Sequence, residues 1–127
     1  MANTFLLSNN INIGKSLVEK DLVDEAKNIQ KKAKQYNCKL ILPTDVVCGK
    51  SLDDKKPLEF DINEIESHSM ILDLGKNTTH IINQEIINSK IVLWNGPVGA
   101  FEYKPYDKAT SAIAIYIKEN AKKLNIS

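Results

Sequence analysis

The richest chemistry in this chain of 127 residues lies in Asn95-Gly96-Pro97-Val98-Gly99, followed by Ala100, Phe101 and Glu102. Two glycines and a proline make a turn whose backbone can approach a ligand closely, and Asn95 tolerates unusual backbone angles while offering an amide donor. Glu102 supplies a carboxylate able to accept two hydrogen bonds from a vicinal diol such as a ribose. The same residues also suit an ordinary turn after a strand and a solvated glutamate, so spacing alone leaves both readings open. Neither a G-x-x-x-x-G-K-[ST] loop nor a G-x-G-x-x-G fingerprint occurs. Every basic residue is a lysine, so a phosphate here must use backbone N–H groups or lysine rather than a bidentate guanidinium. Cys38 and Cys48 read as free thiols. With His68 and His80 they lack zinc-ligand spacing, and neither histidine has a serine or cysteine at motif spacing.

The elements that must position this turn follow from apolar spacing. Ser16-Leu17-Val18-Glu19 fits a capping box, and Val18, Leu22, Ala26, Ile29 and Ala33 continue as one stripe, predicting a helix over about 16–36 that stops at Asn37. Lys39-Leu40-Ile41-Leu42, ended by Pro43, reads as a buried strand, and Asp45-Val46-Val47-Cys48 as a second short one. Residues 49–59 are polar and predict a loop. Met70-Ile71-Leu72-Asp73-Leu74 and Ile91-Val92-Leu93-Trp94 are further apolar runs. Residues 77–88 suit a helix capped by Asn77 or Thr78, and Ala109, Ile113, Tyr116 and Ile117 keep helical spacing from near Asp107 to the C-terminus. Helices alternating with uniformly apolar strands predict an α/β fold: a partial Rossmann-like three-layer domain with a mostly parallel sheet and helices on both faces. Ligands of such sheets bind beyond the strands' carboxyl ends, where Pro43-Thr44-Asp45, Asp73-Leu74-Gly75 and the Asn95 turn all lie.

Composition narrows the function classes. With 17 basic and 16 acidic residues the formal net charge is +1, which gives no electrostatic case for a nucleic acid or an anionic membrane as partner. No apolar run approaches the roughly 20 residues of a membrane span, and the N-terminus has no secretory pattern, so a cytoplasmic protein is expected. The length suits one small domain. Its expected sheet of three or four strands is small for a freestanding domain of this class, so the sequence reads as incomplete.

Leu93-Trp94-Asn95-Gly96-Pro97-Val98-Gly99-Ala100-Phe101-Glu102 resembles the signature of phosphoglycerate kinase in its nucleotide-binding C-terminal domain. Ala2-Asn3-Thr4-Phe5-Leu6, Ile13-Gly14-Lys15-Ser16-Leu17-Val18-Glu19, Leu42-Pro43-Thr44-Asp45-Val46-Val47 and Leu72-Asp73-Leu74-Gly75 look like the same family in the same order. The resemblance spans nearly all of residues 1–127, which make up roughly a third of the family's usual length. It implies a partial C-terminal domain, with the N-terminal triose-binding domain absent. It also implies phosphoryl transfer between 1,3-bisphosphoglycerate and ADP, giving 3-phosphoglycerate and ATP in glycolysis.

By the same resemblance Glu102 holds the ribose hydroxyls, Asn95 lies near the nucleotide phosphates, and Pro97 with Ala100 lines the adenosine pocket beside Gly96. The cofactor is ATP or ADP with Mg, whose protein ligand falls outside this chain. Ile71 stands where the family commonly has a glycine, and its side chain is expected to crowd a nucleotide. Lys76 and Ala109 replace a usual proline and glycine. The family's Gly-Ala-Lys-Val and Gly-Gly-Gly-Asp-Thr segments are not in the sequence, so the chain alone is expected to lack catalysis. The alternatives are a non-catalytic binding or complementation module of a split kinase, whose partners would be the missing kinase segments or a second copy, and a remnant of a decaying gene.

Overall fold

Val46 and Cys48 are fully buried while Asp45 and Val47 remain partly open, the period-two pattern of a strand with one covered face. In a computed structural model, which describes residues 1–124, Asp45–Gly49 is accordingly a strand, β1, at the centre of the sheet. β2 (Leu58–Asp61) and β3 (Met70–Leu74) flank it in the order β2-β1-β3. Both pairings are antiparallel, with Val46 opposite Phe60 on one side and Leu74 on the other, and a bulge between Val47 and Cys48. Among the described residues four α-helices accompany the sheet: α1 (Ala2–Ser8), α2 (Val23–Gln35), α3 (Lys76–Ile87) and α4 (Lys108–Leu124). α1 packs on α2 and α3 on α4, with α3 reaching β1 and α4 reaching β3.

The α/β class stands, but the mostly parallel sheet does not. Every strand pairing among the described residues is antiparallel. A continuous apolar run reports burial on both sides and says nothing about chain direction. Direction is set here by β2, which the polar sequence of 49–59 concealed and which returns the chain along β1 as a charged edge strand carrying Glu59 and Asp61. Two expected strands are not strands. Lys39–Leu42 and Ile91–Trp94 run without regular structure. A strand exists only where another supplies its ladder.

The helix expected from Ser16 begins at Val23, after a 3-10 turn over Lys20–Leu22. Ser16 is not its cap, because its buried hydroxyl donates to the Ile13 carbonyl and accepts the Ile71 N–H at 2.8 Å. Gly14, at φ +56, turns the chain so that the Lys15 N–H reaches the Ser69 carbonyl at 2.8 Å. The expected stop at Asn37 is present. Asn37 has φ +52, and the Cys38 N–H returns to the Ala33 carbonyl at 2.8 Å, closing α2 in a Schellman arrangement. The last helix of the sequence reading matches α4, with residues 125–127 outside the described residues.

The core is divided. Val46, Cys48 and Ile65 form one cluster with Phe60, Ile62 and Ile71 against it. Ile86 and Ile113 form another between α3 and α4, with Ile82, Val92, Tyr116 and Ile117. Cys38 and Cys48 are free thiols; burial first, then the charge of Glu66, push Cys48 up to about 11, so it packs as a small apolar side chain.

Candidate functional site

At one end of the sheet β1 begins and β3 finishes, and each presents an aspartate to a helix that starts nearby. Asp45 accepts the Asn77 N–H at 2.9 Å, the Thr78 N–H at 2.7 Å and the Thr78 hydroxyl at 2.6 Å, and so caps α3 from outside it. Gly75 leaves room for this, since a Cβ there would overlap the Asp45 carboxylate. Burial pushes the Asp45 carboxyl up, but the Thr78 hydroxyl and the Thr78 and Asn77 N–H groups outweigh it and hold the group below its ordinary value. The sequence suggested Asn77 or Thr78 as cap; Thr78 instead binds the capping carboxylate.

Asp73 does the corresponding work for α4. Its Oδ2 accepts the Ala109 N–H at 3.0 Å and its Oδ1 the Leu74 N–H at 2.9 Å. The residue is 2% exposed. Burial raises its carboxyl above the ordinary value, and the Asp107 charge adds to this. The Ala109, Leu74 and Lys108 N–H groups offset only part of the rise.

The Asn95–Gly99 turn is fastened to both of these elements. The Ala100 N–H donates to the Leu72 carbonyl of β3 at 2.7 Å, and the Val98 N–H to the Thr110 hydroxyl in the first turn of α4 at 3.1 Å. Gly99 lies flat on β3, where a Cβ would overlap Asp73 Oδ1 and crowd the Leu72 carbonyl. Gly96 takes φ +86 at the exposed apex, where its carbonyl receives the Trp94 indole N–H.

Against this turn lies a cleft of about 230 Å³, open to solvent. Its walls are Met1, the α1 residues Ala2 and Asn3, Leu17, Pro43, Leu52, the β3 residues Met70–Leu74, and Val98, Gly99 and Ala100. Of the residues singled out from sequence, Ile71 and Ala100 meet in this cleft. Asn95, Gly96 and Pro97 face the other side of the turn, bordering an apolar groove of about 340 Å³ with Ile82, Ile86, Val92, Trp94, Ile113 and Ile117. Glu102 is exposed beyond the turn. The start of α1, Leu17 and Leu52 were not anticipated as walls; no local motif marks them, because the cleft assembles from six separate stretches of chain. Asp45, Asp73 and Thr110 were equally hidden in role, although the first two lie in segments that strand-end reasoning had singled out. Among the described residues no three of His, Cys, Asp and Glu gather as a metal site.

Comparison with known proteins accounts for the whole arrangement. A family model described as phosphoglycerate kinase matches residues 1–127. The chain is 42% identical over 122 residues to the phosphoglycerate kinase of Bartonella tribocorum, covering 95% of this chain and 31% of that protein. It is 43% identical over 115 residues to that of Xanthobacter autotrophicus, covering 90% of this chain and 29% of that protein. Among solved structures, phosphoglycerate kinase from Coxiella burnetii superposes with a TM-score of 0.89 at 34% identity, over 93% of this chain and 31% of that one. The enzyme from Pyrococcus horikoshii shares the fold, with a TM-score of 0.71 at 24% identity over 91% of this chain and 30% of that one. The chain thus spans about a third of the length of the relatives it matches. The turn, the strand beneath it and the helices behind it are those of one known family over their full extent: the chain belongs to the phosphoglycerate kinase family.

Proposed function

We propose that this chain is part of the nucleotide-binding domain of phosphoglycerate kinase and that its cleft takes the adenosine of ADP or ATP. In the whole enzyme a phosphoryl group passes from 1,3-bisphosphoglycerate to ADP, a step of glycolysis, which fits a cytoplasmic protein. The cleft carries the reading. Apolar walls from Ile71, Leu72, Val98 and Ala100, with the flat backbone of Gly99 between them, suit a purine face. The family resemblance assigns Glu102, exposed beyond the turn, to the ribose hydroxyls, and Asn95, Gly96 and Pro97, which border the groove on the other side of the turn, to the phosphates and the approach. The described residues offer no clustered metal ligands, so magnesium would arrive on the nucleotide phosphates and no residue here is assigned to it.

Phosphoryl transfer depends on positioning and on electrostatic stabilisation of the transferred group. This sequence has no arginine, and no lysine lines the cleft. The isolated chain is therefore expected to bind without turnover, and a coupled assay showing ATP formation by the purified chain would refute that. Titration with MgADP, followed by amide NMR, tests the binding itself. Shifts centred on Ile71–Leu74 and Val98–Glu102 are expected, and a spectrum unmoved at millimolar ligand would defeat the reading.

A second reading rests on the unpaired segments. Ile91 and Leu93 are 86% and 93% exposed, and neither Lys39–Leu42 nor Ile91–Trp94 pairs with a strand among the described residues. Such edges suit a complementation module that adds strands from other kinase segments. Mixing the chain with those segments would then restore kinase activity, which the nucleotide reading alone does not require.

A further inference from the structure

We infer that Asp73 is a positioning residue of the cleft: its buried carboxylate ties β3 to the first turn of α4 and thereby fixes the Val98–Ala100 wall. The inference rests on the nucleotide reading only for its consequence, ligand affinity; the linkage itself is a matter of the fold.

Three attachments close a triangle. Asp73 joins β3 to α4 through the Ala109 N–H at 3.0 Å. Thr110, the next residue of α4, holds the turn through the Val98 N–H at 3.1 Å. Leu72, the preceding residue of β3, holds it again through the Ala100 N–H at 2.7 Å. Gly99 fills the middle, lying so close to Asp73 Oδ1 that no side chain fits between them. Burying a carboxylate costs more than burying a neutral side chain of its size, so what this group contributes lies in where it holds its partners. Asp73 borders the cleft, but both of its carboxylate oxygens accept backbone N–H groups, from Leu74 and Ala109. Release of Ala109 would let Thr110 move, and Val98 with it, so the wall made by the turn would shift although Val98, Gly99 and Ala100 are themselves unchanged.

The carboxylate also gives the linkage a titration signature. Protonation removes the charge and turns one oxygen into a hydroxyl, a donor and a poorer acceptor, so one of the two N–H bonds is weakened. From the start of α4 and the residue before it, the groups facing Asp73 are Lys108, through its backbone N–H, and Asp107, with like charge. The turn residues Val98–Ala100 bring no titratable side chain, and Val47 is the partner across the strand.

The test is amide NMR of the full chain without ligand, as pH is lowered from about 7 to about 4, followed by MgADP titration at neutral pH. Gly99, Ala100, Ala109 and Thr110 are expected to shift with one shared midpoint lying above that of an ordinary aspartate. D73N should abolish that shared step and weaken MgADP binding about tenfold. T110V keeps the cap and cuts the α4 link to the turn, leaving the Leu72 carbonyl link and the Gly99 contact in place. Ala109 should then still titrate while the Val98 amide, which in the wild type follows the same step, no longer does, and this variant decides the matter if D73N does not fold. Ala109 titrating in the wild-type chain while Gly99 and Ala100 stay still would overturn the inference, as would D73N binding MgADP like the wild type. Absence of any MgADP response in the wild type defeats the nucleotide reading alone, because the ligand-free titration still decides the linkage.

Discussion

Asp45 and Thr78 form a small closed unit in which each satisfies the other. The Thr78 hydroxyl donates to the carboxylate and accepts the Thr44 N–H at 2.9 Å, while the carboxylate takes two N–H groups of α3. Asp45→Ala leaves those N–H groups unpaired and should cost about 1–2 kcal/mol of stability, read from chemical denaturation. Gly75→Ala pushes a methyl into the same carboxylate, so the double variant should cost less than the sum of the two single ones. Additive costs would show that Gly75 matters for some other reason. The pH dependence has a definite sign. The folded state holds Asp45 below its unfolded value of 3.8, so its contribution is complete above that pH and is lost as pH falls through the lower folded value. Wild type and D45A should therefore converge in stability only well below pH 4. Ile71 sits at a different balance. It lines the cleft and also packs on the Val46 cluster. Ile71→Ala should lower stability by about 1–2 kcal/mol while tightening MgADP binding, two effects that calorimetry can separate. Weaker binding by this variant would mean that the side chain contacts the nucleotide rather than crowding it.

At the scale of elements, what the sequence made legible is what short-range chemistry decides. The end of α2 at Asn37, the strands at β1 and β3, and the helix after Gly75 follow from local residue preferences and apolar period. Partner-dependent features were not legible. Ser16 carries a capping sequence, yet its hydroxyl serves Ile71 in a strand 55 residues away, so the helix starts about two turns later. α1 is short and owes its place to packing on α2, and β2 reads as loop because both its faces are largely open. In the site the turn itself was legible from its glycines and proline. The carboxylate and hydroxyl that hold it come from β3 and α4, and no local spacing records that. The unpaired segments give this distinction a measurement. Backbone N–H groups of Lys39–Ile41 and Ile91–Gly96 make no hydrogen bond to the described residues, whereas those of β1 lie in a ladder on both sides. Hydrogen exchange should be fast across both segments and slow across Val46–Cys48. Protection at Ile91–Trp94 would show that another strand is already docked there.

For the molecule as a whole, the same open segment decides how the chain behaves in solution. Among the described residues one small apolar cluster lies at the sheet and another between α3 and α4, and the groove beside the second ends in Leu93 and Trp94, both on the surface with Ile91 next to them. A contiguous exposed apolar stretch with free backbone groups favours pairing with another chain, and a near-zero net charge offers little repulsion against it. Self-association is therefore expected to rise with concentration through residues 91–94. Trp94 is the only tryptophan and lines this groove while still 38% exposed, so its emission should move to shorter wavelength as the chains associate. Leu93→Asp places a charge on a side chain that packs on nothing, so it should leave folding intact while suppressing association by repulsion between copies. Sedimentation at rising concentration reads both. A wild-type chain that remains monomeric at about 100 μM, a concentration at which even an interface of only micromolar affinity would be largely occupied, would show that the groove is covered by the chain itself. Association undiminished in L93D would move the contact to another face.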